Sequence, residues 1–328
     1  MKIDFYTNLV QEGWSAENLE TGIGGSEEKL IELARELAKD NEVTIYHNGR
    51  HGMFDGVNYA DHREFRSWEF RDVFVSYKTR HMLDQSINAN KVLHWTTEVE
   101  QPWAKHELER VDSIITISNY HKRRMNLDSE KLISSYLWVD TDRLDRNKVE
   151  KEKGTMLYCS SFDRGLEELL TKWEQVKKNL GVNKLYVTYG WDFLDKVIKY
   201  QPHLLGWKKQ MIEMLKQDGV EMVGRVDNDD MCKYYWKSEY WALPLNNPDS
   251  ELFCLNAIKA QYCGSMPVVR RIGALQETVN RYMDWDNLLG QKASQSETTE
   301  KDIELNRKHA ERFKLSTALS EWKDKLLV

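Results

Sequence analysis

The stretch that decides the fold class is residues 250–269, SELFCLNAIKAQYCGSMPVV. It begins with an acidic residue at a tight turn, continues as a helix, and ends with Cys-Gly and a short apolar strand. A Glu directly before a helix can accept hydrogen bonds from sugar hydroxyls, while the unpaired N–H groups of the first helical turn bind a phosphate. This combination is suited to a nucleotide-sugar.

Length and composition indicate a globular protein of about two domains. The chain has 328 residues, of which 41% are apolar and 30% charged. No apolar run approaches the roughly 20 residues of a membrane helix. The N-terminus, MKIDFYTNLV, begins as a strand and does not resemble a signal peptide. The four cysteines show no paired metal-site spacing, which favours buried thiols in a reducing compartment. We therefore expect a cytoplasmic protein with no membrane span.

The charge distribution gives no general attraction to polyanions. The formal net charge is −6, and local basic clusters occur at 121–124 (HKRR), 208–209 and 270–271. Each cluster is interpreted as a solvated surface rather than a nucleic-acid contact. Nucleic acid as a substrate is neither indicated nor excluded by this pattern.

Strand-like and helix-like segments alternate along the chain, which predicts α/β layers around mostly parallel sheets. A helix is expected after Ser26, which is a suitable N-cap. A long final helix is expected over 302–327. The predicted strands are 3–6, 43–46, 73–76, 91–94, 113–117, 131–136, 156–158, 184–189, 221–223, 240–244 and 266–269. The charge run at 145–154, DRNKVEKEKG, is interpreted as a linker, so the predicted domains are 1–148, 149–305 and a C-terminal helix at 306–328.

Four further motifs accompany the opening stretch: a Gly-rich loop at 22–27 (GIGGSE), SSFDRGL at 160–166, GRV at 224–226 and GALQET at 273–278. In this order and spacing they resemble the retaining glycosyltransferases of the GT-B architecture, in the very large family four. The opening stretch matches the family's donor-binding motif at Glu251, Phe253, Ala260, Cys263, Gly264, Pro267 and Val268. The resemblance implies two Rossmann-like domains that face a central cleft, with the final helix crossing back to the first domain.

The same resemblance implies that the protein moves a sugar, hexosyl or pentosyl, from a nucleoside-diphosphate-sugar donor to an acceptor hydroxyl with retention of configuration. Arg164 would clasp the diphosphate, and Glu251 would orient the donor sugar. The residues expected to have catalytic roles are Glu251, Arg164, His94 and Glu98. The residues expected to bind the donor are Gly24, Gly25, Arg164, Arg225, Glu251, Phe253, Cys254, Leu255 and Lys259.

Three positions depart from the family pattern. Lys259 stands where the family has a second Glu that binds the donor ribose, and a Lys accepts no hydrogen bonds. Either Lys259 binds a phosphate or a sugar acid, or another residue binds the ribose, or the protein binds a sugar-like ligand without transferring it; we favour the first two together. Cys159 occupies the place of a second basic residue. Trp138 replaces a Gly, where it would close part of the cleft or offer a stacking surface.

The stretch HWTTE at 94–98 lies where family members place a His that reaches the reacting sugar. His94 and Glu98 are the candidates in the register used above. If Trp95 instead aligns with the family's aromatic residue, Thr97 takes the His position and Glu98 an acidic one. A buried, purely structural His94 is an equal alternative.

Three Asp-x-Asp triplets, at 140–142, 227–229 and 284–286, have the form that holds a metal in the other main glycosyltransferase architecture. They do not follow that architecture's order of elements, so we predict no metal, and no cofactor beyond the nucleotide-sugar co-substrate. The expected acceptor is a glycan or, as in some bacteriophage glycosyltransferases, a hydroxymethylated base in DNA. The alternative is a non-catalytic nucleotide-sugar or glycan-binding protein with a decayed site.

Overall fold

The computed structural model describes residues 1–8, 14–290 and 298–327. The described residues of Met1–Trp138 and Leu315–Val328 form one unit, and those of Val139–Lys314 form a second. The chain therefore begins and ends in the same unit, as the resemblance implied. The sequence-based division after residues 148 and 305 stays a prediction.

The first unit is built on an α/β sheet in which the central strands are parallel. Its strands are β1 (Lys2–Tyr6), β2 (Glu42–His47), β3 (Gly52–Phe54), β4 (Val57–Asp61), β5 (Arg71–Tyr77), β6 (Ala89–Trp95), β7 (Ser113–Thr116) and β8 (Leu132–Ser134). Its sheet has the order β3-β4-β2-β1-β5-β6-β7-β8, and β3 pairs antiparallel with β4. The helices that precede the second unit are α1 (Asn18–Thr21), α2 (Gly25–Leu37), α3 (Lys105–Arg110) and α4 (Asn119–Arg124).

The central strands of this sheet are buried because their residues are apolar on both faces, as parallel strands covered by helices require. Ile3, Val73 and Val75 on one face of this sheet and Phe74 on the other are almost completely buried. The predicted strands at 3–6, 43–46, 73–76, 91–94, 113–117 and 131–136 are confirmed within a few residues. The β3–β4 hairpin was not predicted from the sequence.

The N-cap of α2 was predicted wrongly. The helix begins at Gly25 with Gly24 as its N-cap, so Ser26 lies inside the first turn. The Ser26 hydroxyl instead bonds to Glu27 at 2.9 Å and accepts a hydrogen bond from Lys78 at 2.7 Å. Lys78, directly after β5, thus bonds to the hydroxyl oxygen that was expected to cap the helix.

His47, at the end of β2, makes the stability of the first unit sensitive to acid. Its side chain is fully buried, with Nδ1 accepting a hydrogen bond from the Gly49 N–H. Burial, together with the nearby His51, lowers the pKa of His47 to about 4, from an ordinary value of 6.5. The folded state therefore prefers the neutral ring, and protonation favours unfolding. The stabilisation is complete above pH 6.5 and is lost as the pH falls towards 4, by about 2 to 3 kcal/mol.

We expect His47→Gln to flatten this acid sensitivity, because an amide keeps hydrogen-bonding groups but does not titrate. The measurement is the midpoint of thermal unfolding between pH 7.5 and 4.5 for the wild-type protein and the variant. His203, an exposed histidine, supplies the control His203→Gln, which should follow the wild-type curve. Equal slopes for the wild-type protein and His47→Gln would contradict the prediction.

The second unit contains a fully parallel sheet in the order β11-β10-β9-β12-β13-β14. Its strands are β9 (Glu152–Tyr158), β10 (Lys184–Val187), β11 (Val220–Met222), β12 (Ser238–Leu243), β13 (Met266–Val269) and β14 (Met283–Asp284). Its helices are α5 (Thr141–Arg146), α6 (Leu166–Thr171), α7 (Trp173–Leu180), α8 (Asp192–Ile198), α9 (Leu204–Met214), α10 (Asn228–Lys237), α11 (Leu255–Tyr262), α12 (Leu275–Thr278), α13 (Trp285–Leu289) and α14 (Glu300–Ala310). The five strands predicted for this half are confirmed. The charge run at 145–154 lies inside the unit and covers the last two residues of α5, the connection 147–151 and the first three residues of β9.

The single long helix predicted over 302–327 was wrong. After α14 the chain forms a short 3-10 turn at Glu311–Phe313, and Lys314 is extended, with φ −73° and ψ 148°. Helix α15 (Leu315–Glu321) and a π-helical turn at Trp322–Leu326 then follow in the first unit. The break occurs where Phe313 is buried and the Val139 N–H donates to its carbonyl, which fixes this backbone outside a helix.

None of the helices in the described part of the chain has the length and apolar character that crossing a bilayer requires.

Candidate active site

The residues predicted to bind a donor in the second unit lie in loops at one edge of its sheet, or in helix α11 directly after one of these loops. The strands are parallel, so the loops that follow them all leave at their carboxyl ends, which is where α/β sheets bind ligands. Arg164 follows β9, Arg225 follows β11, and Glu251 follows β12. The topology therefore brings these side chains to the same edge.

Gly165 lets the loop after β9 pack closely against the loop after β12. Its φ is +94°, in the left-handed region that favours glycine, and a Cβ built on it would lie 2.6 Å from the Pro244 carbonyl oxygen. No larger residue fits this approach without moving the backbone. The contact holds the two loops together and so brings Arg164 to Glu251.

Arg164 and Glu251 form an ion pair, with 2.7 Å between Arg164 Nη1 and Glu251 Oε2. The Glu251 side chain is 13% exposed and that of Arg164 is 35% exposed. Burial raises the pKa of Glu251, and the guanidinium opposes this shift. Burial would lower the pKa of Arg164, but the neighbouring carboxylate outweighs it and raises that pKa. The pair thus keeps a cation partly accessible at the edge of the sheet.

The N-terminus of α11 lies directly after this carboxylate in the chain. Cys254 is its N-cap residue, and it makes no side-chain capping hydrogen bond. The positive end of the helix dipole and the N–H groups of the first turn can therefore stabilise an anion. Leu255, the first residue of α11, is half-buried. A cation and a helix N-terminus within a few residues of each other suit a diphosphate.

Phe253 and Cys254 are buried beneath this loop. The Phe253 ring packs on Phe313, with 5.7 Å between the ring centroids and an angle of 69° between the planes. The two side chains therefore anchor the loop, and a donor would meet them through their backbone. Their predicted role in donor binding stays a prediction.

A buried network that the sequence did not reveal supports the same edge. Asn256 Nδ2 donates to the Cys159 carbonyl at 2.8 Å, and the Tyr235 hydroxyl donates to Asn256 Oδ1 at 2.7 Å. The Cys159 thiol lies 3.5 Å from the Tyr235 hydroxyl and accepts from Trp241 Nε1 at 3.3 Å. The network ties the end of β9 to the first turn of α11.

Cys159 carries no charge at neutral pH. Burial raises the pKa of its thiol to about 11, while the ammonium of Lys259 acts against that shift. Lys259 is half-buried and lies one turn after Asn256 on α11. Next to Cys159 the positive charge is therefore supplied by Lys259 of α11, and not by the residue that follows β9.

Arg225 is exposed in the loop after β11. The preceding Gly224 has a φ of +83°, and a Cβ built on Gly190 would lie 3.4 Å from Arg225 Cβ. The loops after β10 and β11 are therefore in contact. Trp191 of the first of these loops packs on Phe162 of the loop after β9, with 4.3 Å between the ring centroids.

In the first unit, the Gly-rich loop differs in detail from its prediction. Gly22 has a positive φ, +94°, whereas the N-cap Gly24 has a φ of −59°. Gly24 and Gly25 begin α2, next to a cluster in which Lys78 donates to the Ser26 hydroxyl and to Glu27, each at 2.7 Å. Lys78 follows β5 with a φ of +56°, which is uncommon for a residue with a side chain.

His94, at the end of β6, is 0% exposed. Its Nε2 lies 2.8 Å from Glu100 Oε2, and the Thr96 hydroxyl donates to Glu100 Oε1 at 3.0 Å. Burial would raise the pKa of Glu100, but His94 and its other polar partners lower it. The Glu98 side chain is exposed, and Thr97 is half-buried. Glu100 was missed in the sequence, where nothing marks it as the partner of His94.

His121 does not belong to an exposed basic cluster. It is fully buried, its Nε2 lies 2.8 Å from the Glu98 carbonyl oxygen, and its Nδ1 accepts from the Ile117 N–H at 3.3 Å. Burial lowers its pKa. The neutral ring therefore braces the loop that carries Glu98, and only Lys122, Arg123 and Arg124 of the HKRR stretch are exposed.

Trp138 offers no stacking surface to a ligand. It is 0% exposed, stacks on Trp95 with 6.1 Å between the ring centroids, and donates from Nε1 to Glu32 at 2.8 Å. Trp322 also packs on Trp95, at 4.9 Å. Trp138 is therefore part of an aromatic core inside the first unit.

The three Asp-x-Asp triplets have a structural explanation. The first Asp of each is a helix N-cap: Asp140 accepts from the Arg143 N–H, Asp227 from that of Asp230, and Asp284 from that of Asn287. A second acid two residues later suits the positive end of the helix dipole. Helix initiation accounts for the pattern.

Comparisons with known proteins agree with this geometry. The family model described as glycosyl transferases group 1 matches residues 140–314, more than half of the chain. No curated protein matches the chain. A sucrose-phosphate synthase from Thermosynechococcus elongatus has a similar structure, with a TM-score of 0.67, 14% identity, and coverage of 98% of this chain and 97% of its own.

Two further solved structures are similar over almost the whole chain. Anabaena HepE in complex with UDP and glucose has a TM-score of 0.67 and 13% identity, with 99% of each chain covered. A glycosyltransferase from Rickettsia africae has a TM-score of 0.66 and 14% identity, with 98% of this chain and 96% of its own covered. The shared fold is the GT-B architecture that the motifs implied.

Proposed function

Because the chain belongs to the glycosyl transferases group 1 family, we propose that it transfers a sugar from a nucleoside-diphosphate sugar to an acceptor hydroxyl, with retention of configuration. The observation that carries this proposal is the Arg164–Glu251 pair beside the N-terminus of α11. When a donor binds, Arg164 turns from the carboxylate to the diphosphate, and Glu251 accepts hydrogen bonds from the sugar. The departing nucleotide is then stabilised by the guanidinium and the helix N-terminus.

This reaction requires positioning and charge stabilisation rather than a cofactor. The nucleotide-sugar is a co-substrate, and the site residues supply neither a nucleophile nor a redox group to the proposed step. The four cysteines are buried thiols, which suits a reducing compartment such as the cytoplasm. UDP-glucose is the first donor to test, since the similar Anabaena protein binds UDP and glucose.

Lys259 is proposed to bind a donor phosphate or an acidic sugar. Its aliphatic chain starts in the second turn of α11 and, like other helical side chains, leans towards the helix N-terminus. The ammonium is therefore directed to the end of the helix where the diphosphate is proposed to bind. The donor ribose is then bound by another residue, because a lysine accepts no hydrogen bonds.

A second candidate function is donor binding without transfer. The uncharged Cys159 thiol favours it, because a phosphate site with one fewer cation would stabilise a leaving nucleotide less well. Tight binding of a donor with neither transfer nor slow hydrolysis would support this candidate. Slow release of the nucleoside diphosphate in the absence of acceptor would exclude it.

The proposed acceptor is a glycan, and a hydroxymethylated base in duplex DNA is the alternative. For duplex DNA, Lys122, Arg123 and Arg124 are the exposed cations of α4. Binding would weaken steeply with salt and would be lost when these three are replaced by Gln. Absence of duplex binding at low salt would exclude DNA and leave the glycan.

Thermal unfolding with UDP, GDP, ADP, CDP and dTDP sugars tests the proposed donor site. A ligand at 100 times its dissociation constant adds about 2.7 kcal/mol of stability, so one nucleotide class should raise the unfolding midpoint. The shift should be lost in Arg164→Ala and kept in the control Lys184→Ala. Lys184 also forms an ion pair, with Glu221, but it is the first residue of β10 and so lies at the end of the strand opposite to the proposed donor site. No shift with any of the five classes would overturn the proposal.

A further inference from the structure

The first unit contains a polar cluster that the proposed donor chemistry does not use. It lies where β5 ends and α2 begins. The Lys78 ammonium donates to the Ser26 hydroxyl and to Glu27 Oε1, and Ser26 donates to Glu27 Oε2. The Lys78 and Glu27 side chains are only 13% and 15% exposed. The cluster is therefore a hydrogen-bonded ion pair with limited access to solvent.

The backbone around Lys78 is built to hold it there. Its φ of +56° turns the chain sharply at the end of β5, and its N–H donates to the Trp95 carbonyl at 3.0 Å. The hydroxyl of the preceding Tyr77 donates to the Ser26 carbonyl at 2.8 Å. A residue held in a sparsely populated conformation by its surroundings is a reason to look for a function there.

A second observation comes from the neighbouring strand. In the register of β1 and β5, Tyr6 pairs with Ser76, so Thr7 and Asn8 lie beside the residues that lead to Lys78. The Asn8 N–H approaches the Thr79 hydroxyl at 3.4 Å. Within the described part of the chain, Thr7 Oγ1 and Asn8 Oδ1 are buried without a hydrogen-bond partner. Such atoms are rare and call for a bound polar group or water.

The chemistry of the cluster defines what it can bind. An ammonium has three N–H groups, of which the bonds to Ser26 and Glu27 use two. Each carboxylate oxygen of Glu27 accepts one bond and has capacity for another. The pair has no net charge, so Glu27 would repel an added anion and Lys78 would repel an added cation. Neighbouring hydroxyls, which both donate and accept, satisfy the two groups together.

We propose that Lys78 and Glu27 form an acceptor subsite that binds two neighbouring hydroxyls of an uncharged sugar. This inference rests on the proposed function, because it names the acceptor of that reaction. It limits the glycan acceptor to one whose reacting end carries no phosphate or carboxylate. Thr7 and Asn8 supply further polar atoms at the edge of the subsite.

Direct binding of sugars, without a donor, tests the subsite independently of transfer. The probes are the methyl glycosides of glucose, galactose and mannose and the 6-phosphates of the free sugars, titrated into the whole protein by calorimetry or saturation-transfer NMR. We expect at least one uncharged probe to bind and its dissociation constant to rise about tenfold or more in Lys78→Met and in Glu27→Gln. Lys39→Met is the matched control, since Lys39, two residues after the end of α2, pairs with Glu36 of the same helix at 2.7 Å and its side chain is exposed.

Three results would overturn the subsite: binding of the 6-phosphates alone, equal binding by the wild-type protein and the two variants, or no binding of any probe at 100-fold the concentration of the protein. Near-UV circular dichroism of the variants shows whether their fold is kept, and Glu27→Asp, which keeps the charge, should recover part of the binding. If no nucleotide sugar raises the unfolding midpoint but the methyl glycosides still bind, the proposed transfer is rejected and the sugar site remains. If a nucleotide sugar raises the unfolding midpoint but no methyl glycoside binds, only the acceptor subsite is rejected.

Discussion

Arg164→Ala should lower kcat for sugar transfer by about 10²- to 10³-fold, the usual cost of losing one preorganised group that stabilises developing charge. In the resting protein the guanidinium bonds to Glu251 at 2.7 Å, next to the N-terminus of α11. In the proposed reaction, negative charge builds on the diphosphate as the bond to the sugar breaks, and the Arg164 guanidinium stabilises that charge. The measurement is release of the nucleoside diphosphate at saturating donor and acceptor.

Arg164→Ala could lower kcat in two ways: by removing the catalytic guanidinium, or by leaving the largely buried Glu251 carboxylate without its partner. A control must distinguish the two causes. The double variant Arg164→Ala/Glu251→Gln removes that charge. Because Glu251 is itself proposed to bind the donor sugar, the comparison is with Glu251→Gln alone. If the stranded carboxylate caused the loss, the double variant would be no slower than Glu251→Gln; we expect it to be at least tenfold slower than Glu251→Gln. Arg164→Lys should be intermediate, because it keeps the charge but not the planar fork. A kcat within threefold of wild type in Arg164→Ala would contradict the assignment.

The sequence predicted the fold well because its signals are local. Short apolar runs such as 73–76 and 266–269 indicate buried strands, and their alternation with helical segments favours a parallel sheet. What it could not predict was the effect of distant residues. Ser26 has the chemistry of an N-cap, but Lys78 takes its hydroxyl. The final helix looked continuous, but Phe313 is fixed by contacts with Val139 and Phe253.

For the candidate site, too, the sequence predicted which residues are involved but not which distant residues they contact. The motif order marked Arg164 and Glu251 as donor residues, but their direct ion pair joins positions 87 residues apart and has no local signature. Trp138 at a glycine position suggested a ligand surface, yet Trp95 and Trp322 bury it. Residue type and spacing thus predict which loops meet at a sheet edge, whereas the partner of each polar group depends on packing.

The largest loss of stability is expected when the buried ion pair in the first unit is broken. Arg71 Nε donates to Asp4 Oδ2 at 2.7 Å, and both side chains are 0% exposed. Burial raises the pKa of Asp4, and Arg71 opposes this shift. Arg71→Met leaves a carboxylate buried among apolar strands, so we expect a loss of about 3 to 5 kcal/mol in the free energy of unfolding, measured with urea.

The double variant Asp4→Leu/Arg71→Met tests the cause. Removing both charges avoids the unpaired carboxylate, so its stability should return to within about 2 kcal/mol of wild type. The exposed pair Arg50–Glu17, with side chains 62% and 54% exposed, supplies the matched control: Arg50→Met should cost less than about 1 kcal/mol. In the single variant Arg71→Met, acid should restore part of the stability. A carboxyl whose pKa is raised in the folded state destabilises the fold increasingly as the pH rises from its ordinary pKa to the raised one, so protonation of Asp4 removes this cost. If the double variant is as unstable as Arg71→Met, the loss of stability comes from the packing of the two side chains and not from the unpaired carboxylate.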